Sequence, residues 1–348
     1  MRTFVQRSFG GTEQLQVESA PTPEPGPGQL RVRVGAVAVD RGSWHILTGT
    51  PIVARPGFGL RGPRAGFRTP GRDFAGVVDA VGPDVTDWSV GERVHGTANG
   101  SLADFLVTSV KRVARPAPSL SLREAAALPV SGLTAYQAIR AAKVVAGQRV
   151  LVIGASGGVG HLAVQIAAAL GARVTAVCRP ETLELMPRLG AAAVIDRTTQ
   201  PLDVEGEPCD VVLDIASNRP LREKRAVLTP RGTLVCIGTE RGRLTSGFHH
   251  SIAAALLNPF VRQRLLMHMS KELGSDLAEL DTLVQRGTVR PAIGLHVPFE
   301  QAAIALDRLG SGQSIGKTVV DVDPTVWPDQ PAAASPTEWR TGVDLSGA

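Results

Sequence analysis

Residues 149–178 leave little freedom for the fold around them. RVLVIG (149–154) is a short apolar run, GASGGVG (154–160) breaks it, and HLAVQIAAALG (161–171) carries helical spacing closed by a glycine. A second apolar run, RVTAVC (173–178), follows at once. Two buried strands joined through a helix must lie parallel, because an antiparallel pair needs only a tight turn. Residues 150–172 contain no Asp, Glu, Lys or Arg and are long enough to suggest a membrane span, but the glycine cluster divides them into two short elements. The alternation continues with a helix in LELMPRLG (183–190), a strand in AAVID (192–196), a strand in CDVVLDIA (209–216), a helix in LREKRAVLTPRG (221–232) and a strand in TLVCIG (233–238). VRQRLLMHM (261–269) supplies a sixth strand. The pattern predicts an α/β domain with a doubly wound parallel sheet.

The flanks read differently. Residues 1 to about 118 are rich in Gly and Pro and hold Val-rich runs at LRVRVGAV (30–37), FAGVVDAVG (74–82) and GERVHG (91–96), which predict a mostly β block. REAAALPVSGLTAYQAIRAA (123–142) predicts helices. After the sixth strand come a helix over 275–287, a strand in IGLHVPF (293–299), a helix over 300–312 and a strand in GKTVVDV (316–322). From Pro324 the chain is Pro- and Ala-rich and reads as an extended or disordered tail. No internal repeat is present.

Composition narrows the function classes. The 348 residues are 43% hydrophobic and 20% charged, ordinary for a soluble globular protein of about two domains. Cys178, Cys209 and Cys236 form no C-x-x-C pair, which argues against a disulfide scaffold and for a reducing compartment. The net charge of +5 comes from basic residues alternating with 32 acidic ones, and aromatics are only 4%, so a nucleic-acid stacking platform is not expected. The N-terminal MRTFVQRSFGG has no apolar core of a secretory signal, which makes the cytoplasm the expected location.

The glycine turn admits two chemical readings. Ala155-x-Gly157-x-x-Gly160, between a strand and a helix, is a dinucleotide fingerprint whose first glycine is replaced by alanine. Gly157 lets the backbone approach a diphosphate, Gly160 lets helix and strand pack closely, and the helix start attracts the anion. Ala155, Ser156, Gly157, Gly158, Val159 and Gly160 are then the coenzyme cradle. The same residues spell the G-x-S-x-G elbow of hydrolases, but no local pattern singles out Asp214 with His268 or His296 as its partners. A turn with no ligand is the third reading. Coenzyme choice falls at the end of the second strand, Cys178-Arg179-Pro180-Glu181. Arg179 stands where an acid would bind the 2′-hydroxyl of NAD, and its planar cation suits a 2′-phosphate, which favours NADPH. Arg179 as a surface charge, and Glu181 as an NADH ligand, remain open. Ala216, Ser217 and Gly238, after the next strands, complete the expected coenzyme contacts.

Several motifs in one order carry a family resemblance: GRDFAGVVDAVGPDV (71–85), WSVGERVHG (88–96), AAALPVSGLTAYQAI (125–139), the segment 147–178, LGAAAVID (189–196), LTPRGTLVCIG (228–238) and GKTVVDV (316–322). Over residues 1–322 the chain resembles the medium-chain dehydrogenase/reductases, in their zinc-independent, quinone-oxidoreductase-like branch. The resemblance implies a GroES-like β-rich catalytic domain (1–118, with a C-terminal return at 273–323), a Rossmann NADP-binding domain (119–272) and a tail (324–348). It also implies a homodimer formed through the sixth strand. Zinc-dependent relatives hold their metal with a Cys near position 40 and a Gly-His-Glu where this chain has Gly71-Arg72-Asp73. No cysteine precedes Cys178, so no metal is expected.

By the same resemblance, the reaction is reduction of an activated C=C bond or quinone, with NADPH giving hydride to a small-molecule enone, quinone or related carbonyl compound. Ser131 and Thr134 of PVSGLTAY are the expected nicotinamide contacts; Tyr136 reads as a packed helix residue. An Asn-Pro-x-Asp pattern usual in the family is replaced here by Asp40, Arg41 and Ser43. Asp40 is either an acid/base or a partner for Arg41, and His45 is a second candidate. Arg55, Arg61, Arg64, Arg68 and Arg72 form either a positive rim that steers anionic substrates or a solvated loop. A carbonyl or alcohol oxidoreductase, a specialised-metabolite tailoring enzyme and a non-catalytic NADPH sensor are the alternatives on this fold.

Overall fold

The computed structural model describes residues 1–202, 206–238, 253–254 and 256–327. Two short strands, β1 (Arg2–Val5) and β2 (Gln16–Ser19), pair with each other. The sheet that follows is organised by β3 (Gln29–Val39), whose central residues are buried on both faces. It pairs antiparallel with β4 (Asp73–Val81), which pairs with β5 (Arg93–Thr97), and its first half also pairs with β6 (Phe105–Ser109). β7 (Val113–Ala114) extends the far edge beside β5.

The second sheet holds six parallel strands: β8 (Arg149–Ile153), β9 (Arg173–Cys178), β10 (Ala193–Asp196), β11 (Cys209–Asp214), β12 (Leu228–Cys236) and β13 (Arg264–Met267). Their spatial order is β10-β9-β8-β11-β12-β13. Alternation of side chains splits the core between the two faces. Val150, Val152 and Ala176 pack with the helices Pro129–Ala142 and Gly160–Ala169, while Leu151, Ile153 and Val177 pack with Leu234 and Leu265 on the other side. The order reverses between β8 and β11, and the crevice at the carboxyl ends of those strands is where open sheets of this kind bind ligands.

The C-terminal part then returns to the first sheet. β14 (Ile293–Pro298) pairs parallel with β15 (Lys317–Asp321), and β15 pairs antiparallel with residues 36–39 of β3. Both ends of the chain therefore build one sheet, which brings Lys317 to the crevice of the other.

Three local expectations are corrected, and a fourth element adds to the mostly β block. LELMPRLG is not an α-helix: Pro180–Leu185 and Pro187–Leu189 form 3-10 turns, since Pro187 lacks the N–H a continuing helix needs. The helix expected over 221–232 stops at Ala226, and Leu228 already opens β12, where pairing with β11 shifts register between Cys209 and Val211. The β-rich block contains a helix, Arg41–Thr48, because Asp40 caps it and Gly49 ends it at φ 66°. The tail does not begin at Pro324: Pro324–Val326 turn back, and Trp327, 1% exposed, packs into the core beneath the guanidinium of Arg93. Residues 328–348 lie outside the described part. Among the described residues no helix is long and apolar enough to cross a membrane.

Candidate active site

A cavity of about 490 Å³ opens where the two sheets meet. One wall is the glycine turn after β8, with Gly157, Gly158 and Val159, joined by Ala216 after β11 and Gly238 after β12. The lining also includes Asp40, Arg41 and His45 at the helix Arg41–Thr48, Arg72 ahead of β4, and Lys317 of β15, which lies against the turn itself. Ser131 and Thr134, on the helix Pro129–Ala142, form its side.

The turn is shaped for close approach. Gly154 sits at φ +86°, a region that strains any residue with a Cβ. A Cβ on Gly160 would stand 2.1 Å from the Gly154 carbonyl, whereas one on Gly157 would meet nothing nearer than 3.5 Å. Gly160 is therefore small so that helix and strand can pack, and Gly157 keeps a space open. The amide groups that begin the helix Gly160–Ala169 point along its axis and favour an anion.

A buried charge pair lies beside this turn. Lys317 Nζ donates to Asp73 Oδ2 at 2.8 Å and to Ser131 Oγ at 3.1 Å, and Asp73 Oδ1 accepts from the Val130 amide at 2.6 Å. A Cβ on Gly158 would stand 3.2 Å from Lys317 Cδ and 3.3 Å from Ser131 Oγ, so the lysine stem lies against the glycine turn. Burial pushes the Asp73 carboxyl up from its ordinary range, and the Lys317 charge opposes that rise. Neither residue stood out in sequence. A lysine at a strand start reads as exposed, and only the return of β15 to β3 buries it.

Asp40 is 6% exposed, and its Oδ1 caps the helix by accepting from the Ser43 amide at 2.8 Å. Its Oδ2 is buried without a partner. His45 Nδ1, His268 Nε2 and Ser314 Oγ are in the same condition, and all four residues line the cavity. These four polar atoms are themselves buried, so each lies behind the cavity surface that its residue helps to line. Burial, with the Arg41 charge, pushes His45 down to about 4, so it is neutral near pH 7. Thr134 Oγ1 is held by Val130 O at 2.6 Å and Ser270 Oγ at 3.1 Å.

Other sequence-chosen residues stand behind this surface. Ala155, Ser156 and Gly160 do not line the cavity; they shape the turn, with the Ser156 carbonyl accepting from the Gly316 amide at 2.8 Å. Cys178 is buried at the end of β9 and burial pushes its thiol up, and Ser217 Oγ accepts from the Arg219 amide; neither lines the cavity. Arg179 reaches the loop after the helix Ala302–Gly310, donating to Gly312 O at 2.9 Å and Ser314 O at 3.0 Å. Its Nε lies 3.1 Å from Glu181, so the two residues between which coenzyme choice was divided are paired. Of the arginines 55, 61, 64, 68 and 72, only Arg72 lines the cavity.

Comparison with known proteins gives this geometry a lineage. Residues 26–118 match the alcohol dehydrogenase GroES-like domain and residues 189–320 match the zinc-binding dehydrogenase family. The chain is 33% identical to the human mitochondrial NAD(P)H oxidoreductase RTN4IP1 over 282 residues, covering 73% of this chain and 70% of that protein. It belongs to the medium-chain dehydrogenase/reductase superfamily, in its quinone-oxidoreductase-like branch. Mouse quinone oxidoreductase is 29% identical over 335 residues, 92% of this chain and 97% of its own length. A mycobacterial protein, Rv1454c, solved in complex with NADPH, superposes with a TM-score of 0.78 at 25% identity, over 92% of this chain and 100% of its own. The two sheets are thus the GroES-like and Rossmann parts of this superfamily.

The superfamily includes zinc enzymes, and the donor set here does not suit that metal. The guanidinium of Arg72 stands in the cavity where a neutral or anionic ligand would be needed, and among the described residues no group of three or more His, Cys, Asp or Glu could hold an ion. A nicotinamide coenzyme does suit the site: the small residues of the turn, with Gly157 and Gly158 on the cavity surface, leave room for a diphosphate at a helix start.

Proposed function

We propose that this chain is an NADPH-dependent reductase of an activated C=C bond or a quinone that works without a catalytic metal. The observation that carries this reading is the cavity itself, lined by an anion-favouring glycine turn together with a cation and a carboxylate, Arg72 and Asp40. When bound, the coenzyme supplies a hydride to an electron-poor carbon. The turn 154–160 holds its diphosphate, with the Lys317 ammonium alongside. Ser131 and Thr134 orient the nicotinamide. Met267 and Phe58 give the acceptor apolar surface. Arg179, at the end of β9, supports NADPH over NADH by its charge and position, with a 2′-phosphate competing for a guanidinium now tied to the Gly312 and Ser314 carbonyls and to Glu181.

Three free, buried cysteines suit a cytosolic setting. Pairing of two copies along β13 fits the exposure of Phe260 and Met269 around that edge strand.

Oxidation of NADPH followed with quinone, enone and aldehyde panels tests the reading. Turnover of enones or quinones is expected. Turnover of aldehydes alone would move the assignment to a carbonyl oxidoreductase, and tight NADPH binding without any turnover would make the protein a sensor.

A further inference from the structure

Arg72 is anchored through one end of its guanidinium. Its Nη2 donates to Glu272 Oε1, while Glu272 Oε2 pairs with Arg112, so one carboxylate is shared by two guanidinium groups. On the other side a Cβ on Gly42 would stand 2.6 Å from Arg72 Nη1 and 2.8 Å from Asp40 Oδ1, which places the Nη1 end beside Asp40 at the cavity wall. Arg41 and Lys317 line the same cavity; Lys317 is bound to Asp73 and Ser131 and packs against Gly158, at the glycine turn. Arg72 is thus a permanently charged donor, tied at Nη2, that lines the same cavity as the glycine turn.

We infer that Arg72 receives the carbonyl oxygen of the acceptor and stabilises the negative charge that forms there. This rests on the reductase reading. A hydride, with its electron pair, leaves C4 of the dihydronicotinamide and forms a C–H bond at the β-carbon of an enone. The C=C pair shifts toward the carbonyl carbon and the C=O pair moves onto oxygen, so the coenzyme is oxidised and the acceptor reduced by two electrons. Water then delivers a proton to the α-carbon and the C=O bond reforms. Charge appears on the oxygen only as the hydride arrives, so a donor oriented beforehand favours the transition state over the bound enone. The inference also names a ligand class: phenolates and enolates, flat molecules with one anionic oxygen, bind this cavity better than their neutral forms.

The test uses the full-length protein without coenzyme and 4-nitrophenol, whose ionisation is read by visible absorbance. Binding is expected to lower the probe's pKa by about one unit, a tenfold preference for phenolate. Arg72→Gln should abolish that shift and reduce kcat/KM for an enone by about 10²- to 10³-fold, the usual effect of removing an oxyanion donor, with NADPH affinity unchanged. Arg72→Lys keeps the charge without the fork and guards against loss of fold, and should retain part of the shift. Arg112→Gln, which breaks only the other bridge to Glu272, should retain all of it. A shift that survives Arg72→Gln, an equal loss in Arg112→Gln, or no phenolate preference in the parent protein would each overturn the inference. Phenolate preference that depends on Arg72, with no turnover of any acceptor, would leave the oxyanion site standing and overturn the reductase reading instead.

Discussion

Lys317 Nζ lies 2.8 Å from Asp73 Oδ2 although 244 residues separate them, and the two are 2% and 0% exposed. Each buried charge depends on the other, since desolvation of an unpaired ion exceeds what neighbouring dipoles return. Lys317→Met should therefore destabilise the protein by about 3–5 kcal/mol. The double variant Asp73→Asn with Lys317→Met should recover most of that loss, because no charge remains buried. Urea denaturation at pH 7 measures both; equal losses in the single and double variants would show that the pair is not what holds this junction.

The two glycines of the turn should separate stability from coenzyme binding. Gly160→Ala puts a methyl 2.1 Å from the Gly154 carbonyl oxygen and 2.7 Å from the Ala155 Cα, so backbone must move and Tm should fall by several degrees. Gly157→Ala makes only an ordinary 3.5 Å contact with the Gly154 carbonyl oxygen and should leave Tm within about a degree or two. It should weaken NADPH binding about tenfold or more, because the methyl occupies the approach of the diphosphate. Thermal scans and a fluorescence titration on the same samples decide the matter.

Arg179 makes a coenzyme prediction with a structural corollary. Arg179→Ala removes the expected 2′-phosphate partner and should weaken NADPH by about tenfold or more, about 1.4 kcal/mol, while NADH changes little. It also frees the carbonyls of Gly312 and Ser314, so the loop should exchange its amide hydrogens faster. An unchanged ratio of NADPH to NADH dissociation constants would reduce Arg179 to that structural clamp.

Two buried histidines set opposite limbs of the stability profile. His161 Nδ1 faces the Gly157 carbonyl and its Nε2 accepts from the Ala292 amide, an arrangement that only a neutral ring can make. Burial pushes it down to about 4. The unfolded chain takes up this proton near pH 6.5, so stability falls as pH drops from about 6.5 toward 4. His95 faces only acceptors, Asp281 Oδ2 at 2.8 Å and Ala125 O at 3.0 Å, so both its nitrogens carry protons. Burial opposes that charge, but Asp281 outweighs it and the pKa is raised. Its contribution is complete below pH 6.5 and is lost as pH rises through the folded value. Unfolding free energies from pH 4 to 9 should show both declines, and His95→Gln should flatten the alkaline one while the acid one persists.

Asp40 lines the cavity, with one oxygen on a helix cap and the other buried without a partner. Asp40→Asn keeps a capping oxygen and should cost less than about 0.5 kcal/mol, whereas Asp40→Ala should cost about 1 kcal/mol. A catalytic proton role would appear as a lost limb in the pH profile of kcat for Asp40→Asn. An unaltered profile confines Asp40 to capping and polarity.

Local pattern was sufficient for the parallel sheet, the glycine turn and the family, since strand and helix periodicity and the small residues between 154 and 160 express their roles within a few positions of themselves. Ser131, Thr134 and Asp40 came from the family resemblance rather than from local pattern, and they do line one cavity. What tertiary structure alone decided was which charges face that cavity. Lys317 and Asp73 are unremarkable in their own segments, and Arg72 reads as one arginine among five in a basic loop. Only when β15 returns to β3 does Lys317 become buried, and only the junction of the two sheets brings Glu272 to Arg72. The energy of a buried charge depends on distant partners that displace water from it, and that information is spread over the whole chain.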